Sequence, residues 1–127
     1  MKKIFLILCF ILGLSACKQD ATILGKEYIL KGYPDTEVLL GFDAHENRFY
    51  GEVVNRYFGE YNWDGAESLK MQVQGSTMMM GRQADMDFEY QYLQDLTLVN
   101  RIQINPTGIV LYLSDGRTLD YTEKEGL

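Results

Sequence analysis

Residues 48–63 read RFYGEVVNRYFGEYNW, and this stretch decides the fold. Aromatic and β-branched residues dominate its two halves, 48–54 and 56–63, which predicts two β-strands. Each half contains a glycine, and glycine inside a strand indicates a bulge or a close approach of a neighbouring backbone. The stretch therefore predicts a strand-rich domain with closely packed backbones.

Further strand patterns lie on both sides of this stretch. They cover 27–31, 38–43, 68–73, 101–104, 109–114 and 117–121. Asp115-Gly116, between the last two, is a hairpin signal because an Asp-Gly pair fits a tight two-residue turn.

Residues 84–98 follow a different period. Phe88, Tyr92 and Leu96 recur every four residues, which predicts the one helix. Asp85 and Asp87 lie at its start, where carboxylates favour the helix dipole and can cap free N–H groups. We therefore expect an α+β fold, namely a single small domain with a curved, mostly antiparallel β-sheet and one packed α-helix.

Length and composition limit the class of protein. The chain has 127 residues, 46% apolar residues and a formal net charge of −6, which fit one globular domain and exclude an intrinsically disordered chain. The acidic balance argues against a nucleic-acid partner, since phosphate binding needs clustered Lys and Arg. Two cysteines cannot form a disulfide-dense scaffold.

The first 17 residues, MKKIFLILCFILGLSAC, have the pattern of an export signal. Two lysines precede an apolar stretch, 4–13, that is too short to span a bilayer and matches a secretory signal. Leu14-Ser15-Ala16-Cys17 then resembles the bacterial lipobox, whose cysteine is acylated; the alternative is an ordinary signal peptide with a chance cysteine. We expect a lipoprotein signal peptide (1–16), a lipid-anchored tether (17–25), a folded domain (26–123) and a C-terminal tail (124–127).

Acylation of Cys17 would tether the protein to a membrane, because two or more acyl chains give stable anchoring. Cleavage would remove Cys9 and acylation would consume the thiol of Cys17, so the mature chain would have no free thiol for catalysis or a disulfide. It would also remove two lysines and take the net charge from −6 to −8. Lys18 follows Cys17 in place of the aspartate that retains some lipoproteins in the inner membrane, which favours the outer membrane.

An ordered set of segments carries a family resemblance. Asn47-Arg48-Phe49-Tyr50-Gly51 leads to 55–61 (NRYFGEY), then to Thr77-Met78-Met79, to the helix with Glu89 and Leu93, and finally to 111–119 (LYLSDGRTL). Their order and spacing, over about residues 24–122, resemble the META/HslJ domain family. The resemblance implies an exported or lipid-anchored envelope protein, linked to stress or virulence responses, with no common enzymatic activity.

Two departures from the family pattern involve cysteines. The resembled family usually has a cysteine at the position of Val54 and a second one at the position of Gly81. If the two family cysteines form a disulfide, it is consistent that both are absent here, because a single remaining cysteine would be a reactive free thiol. The core must then supply the stability that a disulfide contributes, typically about 2–4 kcal/mol.

Few residues could carry chemistry. His45 is the only histidine, and a solvated loop histidine is favoured over a catalytic one; Asp43, Glu46 and Asn47 around it fit a charged turn better than a calcium site. The acidic run at 85–89 is ascribed to helix capping. Five methionines, Met71, Met78, Met79, Met80 and Met86, are ascribed to core packing with one exposed, and a Cu(I) site is the alternative.

The aromatic strand 56–63 is the first candidate for an interaction surface. Its candidate residues are Arg56, Tyr57, Tyr61 and Trp63. Alternation puts Tyr57, Gly59, Tyr61 and Trp63 on one face and the remaining residues on the other. One face belongs to the core, and the other can expose aromatic area to a partner.

We therefore expect a non-enzymatic, lipid-anchored envelope protein that binds another envelope protein and uses no cofactor. The alternative is a small-ligand or metal-binding envelope lipoprotein. An enzyme is the least favoured class, since His45 and scattered carboxylates are its only candidate groups.

Overall fold

The computed structural model describes residues 21–124. Within that range lie eight β-strands and one α-helix, α1, which spans Gln83–Leu96. The strands are β1 (Glu27–Leu30), β2 (Leu39–Phe42), β3 (Arg48–Glu52), β4 (Arg56–Trp63), β5 (Leu69–Ser76), β6 (Val99–Asn105), β7 (Gly108–Leu113) and β8 (Thr118–Glu123). No helix within the described range is long and apolar enough to cross a bilayer.

The strands form one antiparallel sheet in the order β5-β4-β3-β2-β1-β8-β7-β6. Because β1 lies between β2 and β8, it joins the two halves of the chain. The sheet curls until its edge strands approach each other. There Ser68 pairs with Arg101, and the Ile102 amide donates to the Glu67 carbonyl at 2.9 Å. This confirms the expected α+β fold, a curved antiparallel sheet with one packed helix in a single small domain.

The core lies between the inner face of the sheet and α1. Two residues of the predicted helical stripe, Tyr92 and Leu96, are buried in it. Phe88 is half-buried and stacks on Tyr33, with ring centroids 3.9 Å apart. The four-residue period therefore identified the face that packs on the sheet.

The glycines of β3 and β4 are sites of close backbone approach, as predicted. A Cβ atom on Gly51 would lie 2.0 Å from the Leu39 carbonyl oxygen, and one on Gly59 would lie 2.0 Å from that of Gln72. The pairing of β4 with β5 also shifts register between Phe58 and Gly59, which is a β-bulge. A larger residue at either position would force neighbouring strands apart.

The acidic residues near the helix start do not cap it, so the capping prediction was wrong, whereas Asp85 does lie in the first turn, where a carboxylate favours the helix dipole. The helix begins earlier than the acidic run, its N-cap is Arg82, and no side chain caps it. Asp87 accepts a hydrogen bond from the Gln83 side chain, whereas buried Asp85 accepts from the Tyr33 hydroxyl at 2.8 Å and from Arg82 Nε at 2.9 Å. The contacts with Arg82 and Tyr33 hold the pKa of Asp85 below its usual range.

Buried polar contacts fix the helix inside the curled sheet. The Tyr92 hydroxyl lies 3.1 Å from the Tyr57 hydroxyl on β4 and 2.7 Å from the Tyr121 hydroxyl on β8. In the last turn of the helix, buried Asp95 accepts two hydrogen bonds from the Arg117 guanidinium, at 2.8 and 3.1 Å. The helix is therefore tied to both halves of the sheet.

Candidate functional site

An aromatic pair stands on the outer face of the sheet. Tyr50 on β3 and Phe58 on β4 are register partners and remain 38% and 46% exposed. The Tyr50 ring covers Gly41, and the Phe58 ring covers Gly75, since a Cβ on either glycine would meet the ring within 3 Å. The two rings thus spread over four neighbouring strands and form an apolar area that faces water.

Charged side chains border the aromatic pair on both sides. Arg48 pairs in register with Glu60, Glu52 pairs with Arg56, and all four are exposed. The Tyr50 hydroxyl donates to Glu27 at 2.8 Å; burial, followed by this hydrogen bond, raises the pKa of Tyr50 to about 12. An apolar centre within a charged border is the usual arrangement of a protein–protein contact area.

An open depression of about 700 Å³ adjoins the Arg48–Glu60 border. Its lining is mainly polar and includes Asn47, Asn62 and Lys70. The aromatic pair, its charged border and this depression form one continuous candidate surface, which we call the outer-face patch.

The four predicted surface residues do not lie together. Tyr57 and Tyr61 are buried in the core, so their prediction as surface residues was wrong. Trp63 is half-buried and donates from its indole nitrogen to the Ala66 carbonyl at 3.0 Å. Only Arg56 is exposed on the outer-face patch. The reason is that the opposite face of β4 carries Arg56, Glu60 and Asn62, which stay in water, so the face with Tyr57 and Tyr61 turns to the core.

The separate segments of the family signature meet at one buried cluster. The carboxylate of Glu89 on α1 accepts hydrogen bonds from the backbone amides of Val54 and Asn55 at 3.0 and 2.6 Å, and from Asn55 Nδ2 at 2.9 Å. The Asn55 side-chain oxygen accepts from the Thr77 hydroxyl and from the Met79 amide. These contacts hold the β3–β4 turn, the segment after β5 and the helix together.

The two positions at which the family resemblance implies cysteines, Val54 and Gly81, are neighbours. A Cβ atom on Gly81 would lie 3.6 Å from the Val54 Cβ. Disulfide-bonded cysteines have Cβ atoms about 3.5–4.5 Å apart. In this chain the Val54 side chain occupies the space that Gly81 leaves open.

The expectation that most methionines pack in the core, with one exposed, was wrong for the triplet. Met78, Met79 and Met80 are 94%, 57% and 86% exposed, whereas Met71 is buried. The triplet lies in the segment between β5 and α1, whose backbone is held by Asn55 rather than by apolar packing. We call residues 78–80 the methionine loop.

The turn around His45 has the features of a charged surface turn. His45 is exposed, and the Asp43 carboxylate accepts hydrogen bonds from the backbone amides of His45 and Glu46. These two bonds hold the pKa of Asp43 below its usual range. Across residues 21–124, no group of three or more His, Cys, Asp or Glu side chains could hold a metal ion.

Fold and site together define a small protein in which an antiparallel sheet curls around one helix and presents an aromatic patch outward. The META domain family matches residues 21–126, and the chain belongs to this family. Comparison with curated proteins gives no match.

Two solved structures share the fold. A protein from Burkholderia xenovorans, solved by NMR, is 22% identical with a TM-score of 0.69, and the match covers 82% of this chain and 85% of that one. A second NMR structure is 15% identical with a TM-score of 0.56, and the match covers 77% and 88% of the respective chains. Cys17 lies outside the described residues, so its lipidation stays a prediction.

Proposed function

We propose that this protein is a lipid-anchored cell-envelope protein that binds another envelope protein and performs no catalysis. The observation that carries the proposal is the outer-face patch, where Tyr50 and Phe58 are exposed on two paired strands of the sheet. Aromatic residues and arginine are enriched at protein interfaces, and here Arg48 and Arg56 flank the rings. A sheet also holds these side chains in place, so little ordering entropy is lost on binding.

The anchor is proposed from residues 1–17. Acylated Cys17 would hold the acidic domain at the membrane, and the acidic net charge adds no attraction to anionic lipid. Lys18 favours the outer membrane over the inner membrane. A short tether would then keep the outer-face patch within reach of other envelope proteins.

The binding surface is tested with a photo-crosslinking amino acid in the full chain expressed in cells. One variant carries the crosslinker at position 58, and the matched control carries it at Tyr90, which is 69% exposed on α1, away from the patch. We expect a discrete crosslinked protein from position 58 and none from position 90. Equal crosslinking from both positions would contradict a specific surface.

The anchor is tested separately with Cys17→Ala. We expect an alkyne-tagged fatty acid to label the natural chain and not this variant. The variant should also lose the crosslink from position 58, because the soluble protein no longer meets its partner at the membrane. Full crosslinking by an unlabelled, soluble chain would argue against an anchored mode of action.

A further inference from the structure

Methionines are concentrated at one place in the described structure. Residues 21–124 contain five methionines, of which four lie between 78 and 86. Full burial of one methionine side chain stabilises a protein by about 1.5–3 kcal/mol. Each of the three methionines in the loop is more than half exposed and therefore lacks much of this stabilisation. Packing therefore does not account for these side chains.

The backbone of the methionine loop is nevertheless fixed at several points. The Thr77 amide donates to the Arg56 carbonyl at 2.9 Å, and Asn55 contacts both the amide and the carbonyl of Met79. After the loop, the Gly81 amide donates to Met86 Sδ at 3.3 Å. A fourth thioether thus sits next to the loop, and the three side chains of the loop itself are exposed to solvent.

From this arrangement we propose that the methionine loop binds a soft monovalent metal ion, Cu(I) or Ag(I), through thioether sulfur atoms. The sulfurs of Met78 and Met80 are the first ligands, and Met79 or Met86 completes the site. Two residues of chain span at most about 7 Å, so two flexible methionine side chains on Met78 and Met80 can reach a single ion.

The donor type sets the selectivity. Thioethers are soft, uncharged ligands, and they select Cu(I) over ions that prefer carboxylate or imidazole. An uncharged ligand set does not neutralise a divalent ion, whereas a monovalent ion leaves only one positive charge. We therefore expect no binding of Zn²⁺ or Ca²⁺ at this loop. The inference does not depend on the outer-face patch or on a protein partner.

The test is a titration with Cu(I) under anaerobic conditions, in competition with a coloured Cu(I) chelator. Every protein tested, the reference included, is the purified full chain with Cys9→Ser and Cys17→Ser, because thiolates also bind Cu(I). We expect one equivalent of Cu(I) to bind. The double variant Met78→Ile/Met80→Ile should bind at least about tenfold more weakly, because isoleucine keeps the apolar surface and removes two of the sulfur ligands. Ag(I) should compete with Cu(I), and excess Zn²⁺ should not.

Met71→Leu is the matched control, since Met71 is buried and outside the loop. It should bind Cu(I) as the reference chain does. Trp63 fluorescence and circular dichroism show whether each variant keeps its fold. Unchanged affinity in the folded double variant, or no Cu(I) binding by the reference chain, would overturn the proposal.

Discussion

Glu89 is a helix residue whose carboxylate serves a turn outside the helix. It is buried and accepts three hydrogen bonds from Val54 and Asn55. Asn55 in turn holds Met79. The Glu89 carboxylate therefore stabilises the β3–β4 turn directly and, through Asn55, the methionine loop, two segments that are far apart in sequence.

Substitution Glu89→Ala should lower the free energy of unfolding by about 3 kcal/mol, because it leaves buried N–H donors without an acceptor. Urea unfolding followed by Trp63 fluorescence measures the loss. Asp87→Asn, on the exposed side of the same helix, is the control and should change stability by less than about 0.5 kcal/mol. Similar losses in both variants would show that Glu89 acts only through general helix charge.

The methionines should differ in their reaction with peroxide. Thioether oxidation to the sulfoxide follows exposure, so Met78 and Met80 should react first, Met79 more slowly, and buried Met71 last. Peptide mass spectrometry after a short treatment with dilute hydrogen peroxide gives the order. Oxidation of Met71 at the rate of Met78 in the folded protein would contradict the burial seen here.

At the scale of elements, local periodicity was sufficient to predict the strands and α1. On β4 the alternation already favours an inward face with Tyr57 and Tyr61, because Arg56, Glu60 and Asn62 share the opposite face. The alternation does not show that Phe58, on the polar face, pairs with Tyr50 of the neighbouring strand. The hydrogen bonds of Glu89 could not be predicted from local sequence either, since its partners are more than thirty residues away in the chain. The hydrophobic character of the methionine triplet predicted burial. The triplet is exposed instead, because the buried Asn55 side chain holds the backbone of Met79 in a loop outside the core.

A disulfide can join the β3–β4 turn, at Val54, to the segment before α1, at Gly81. The double variant Val54→Cys/Gly81→Cys should form a disulfide, because the Cβ atoms at these positions would be 3.6 Å apart. The cysteine at 54 also removes the valine methyl groups that would collide with a side chain at 81.

The oxidised double variant should be more stable than its reduced form by about 3–4 kcal/mol, given the length of the closed loop. Urea unfolding with and without reductant measures the difference, and thiol titration verifies the bond. Free thiols under oxidising conditions, or equal stability of the two forms, would show that the loops lie farther apart.

At the scale of the whole molecule, the hydroxyl groups of Tyr57, Tyr92 and Tyr121 form a chain that crosses the core from β4 through α1 to β8. The chain continues from Tyr57 to the Leu39 carbonyl at 2.6 Å. Burial raises the pKa of Tyr92 to about 12, and it raises the pKa of the other two well above the usual value. The sequence offered no sign of this chain, because the three tyrosines lie in separate elements.

These raised pKa values predict a steep alkaline limit to folding. Tyrosines in the unfolded chain ionise near pH 10, whereas in the folded protein they stay protonated to higher pH, so the stabilisation is complete below pH 10 and is lost as pH rises above it. These three groups should contribute about 4 kcal/mol per pH unit to the fall in the free energy of unfolding, in addition to the contribution of other shifted tyrosines such as Tyr50. Tyr92→Phe removes one of them and should reduce the slope by about 1.4 kcal/mol per pH unit, while Tyr90→Phe, on the exposed helix face, should leave it unchanged. Urea unfolding at intervals between pH 9 and pH 12 gives the slope, and an equal slope in Tyr92→Phe and the natural chain would show that the buried hydroxyls ionise without unfolding.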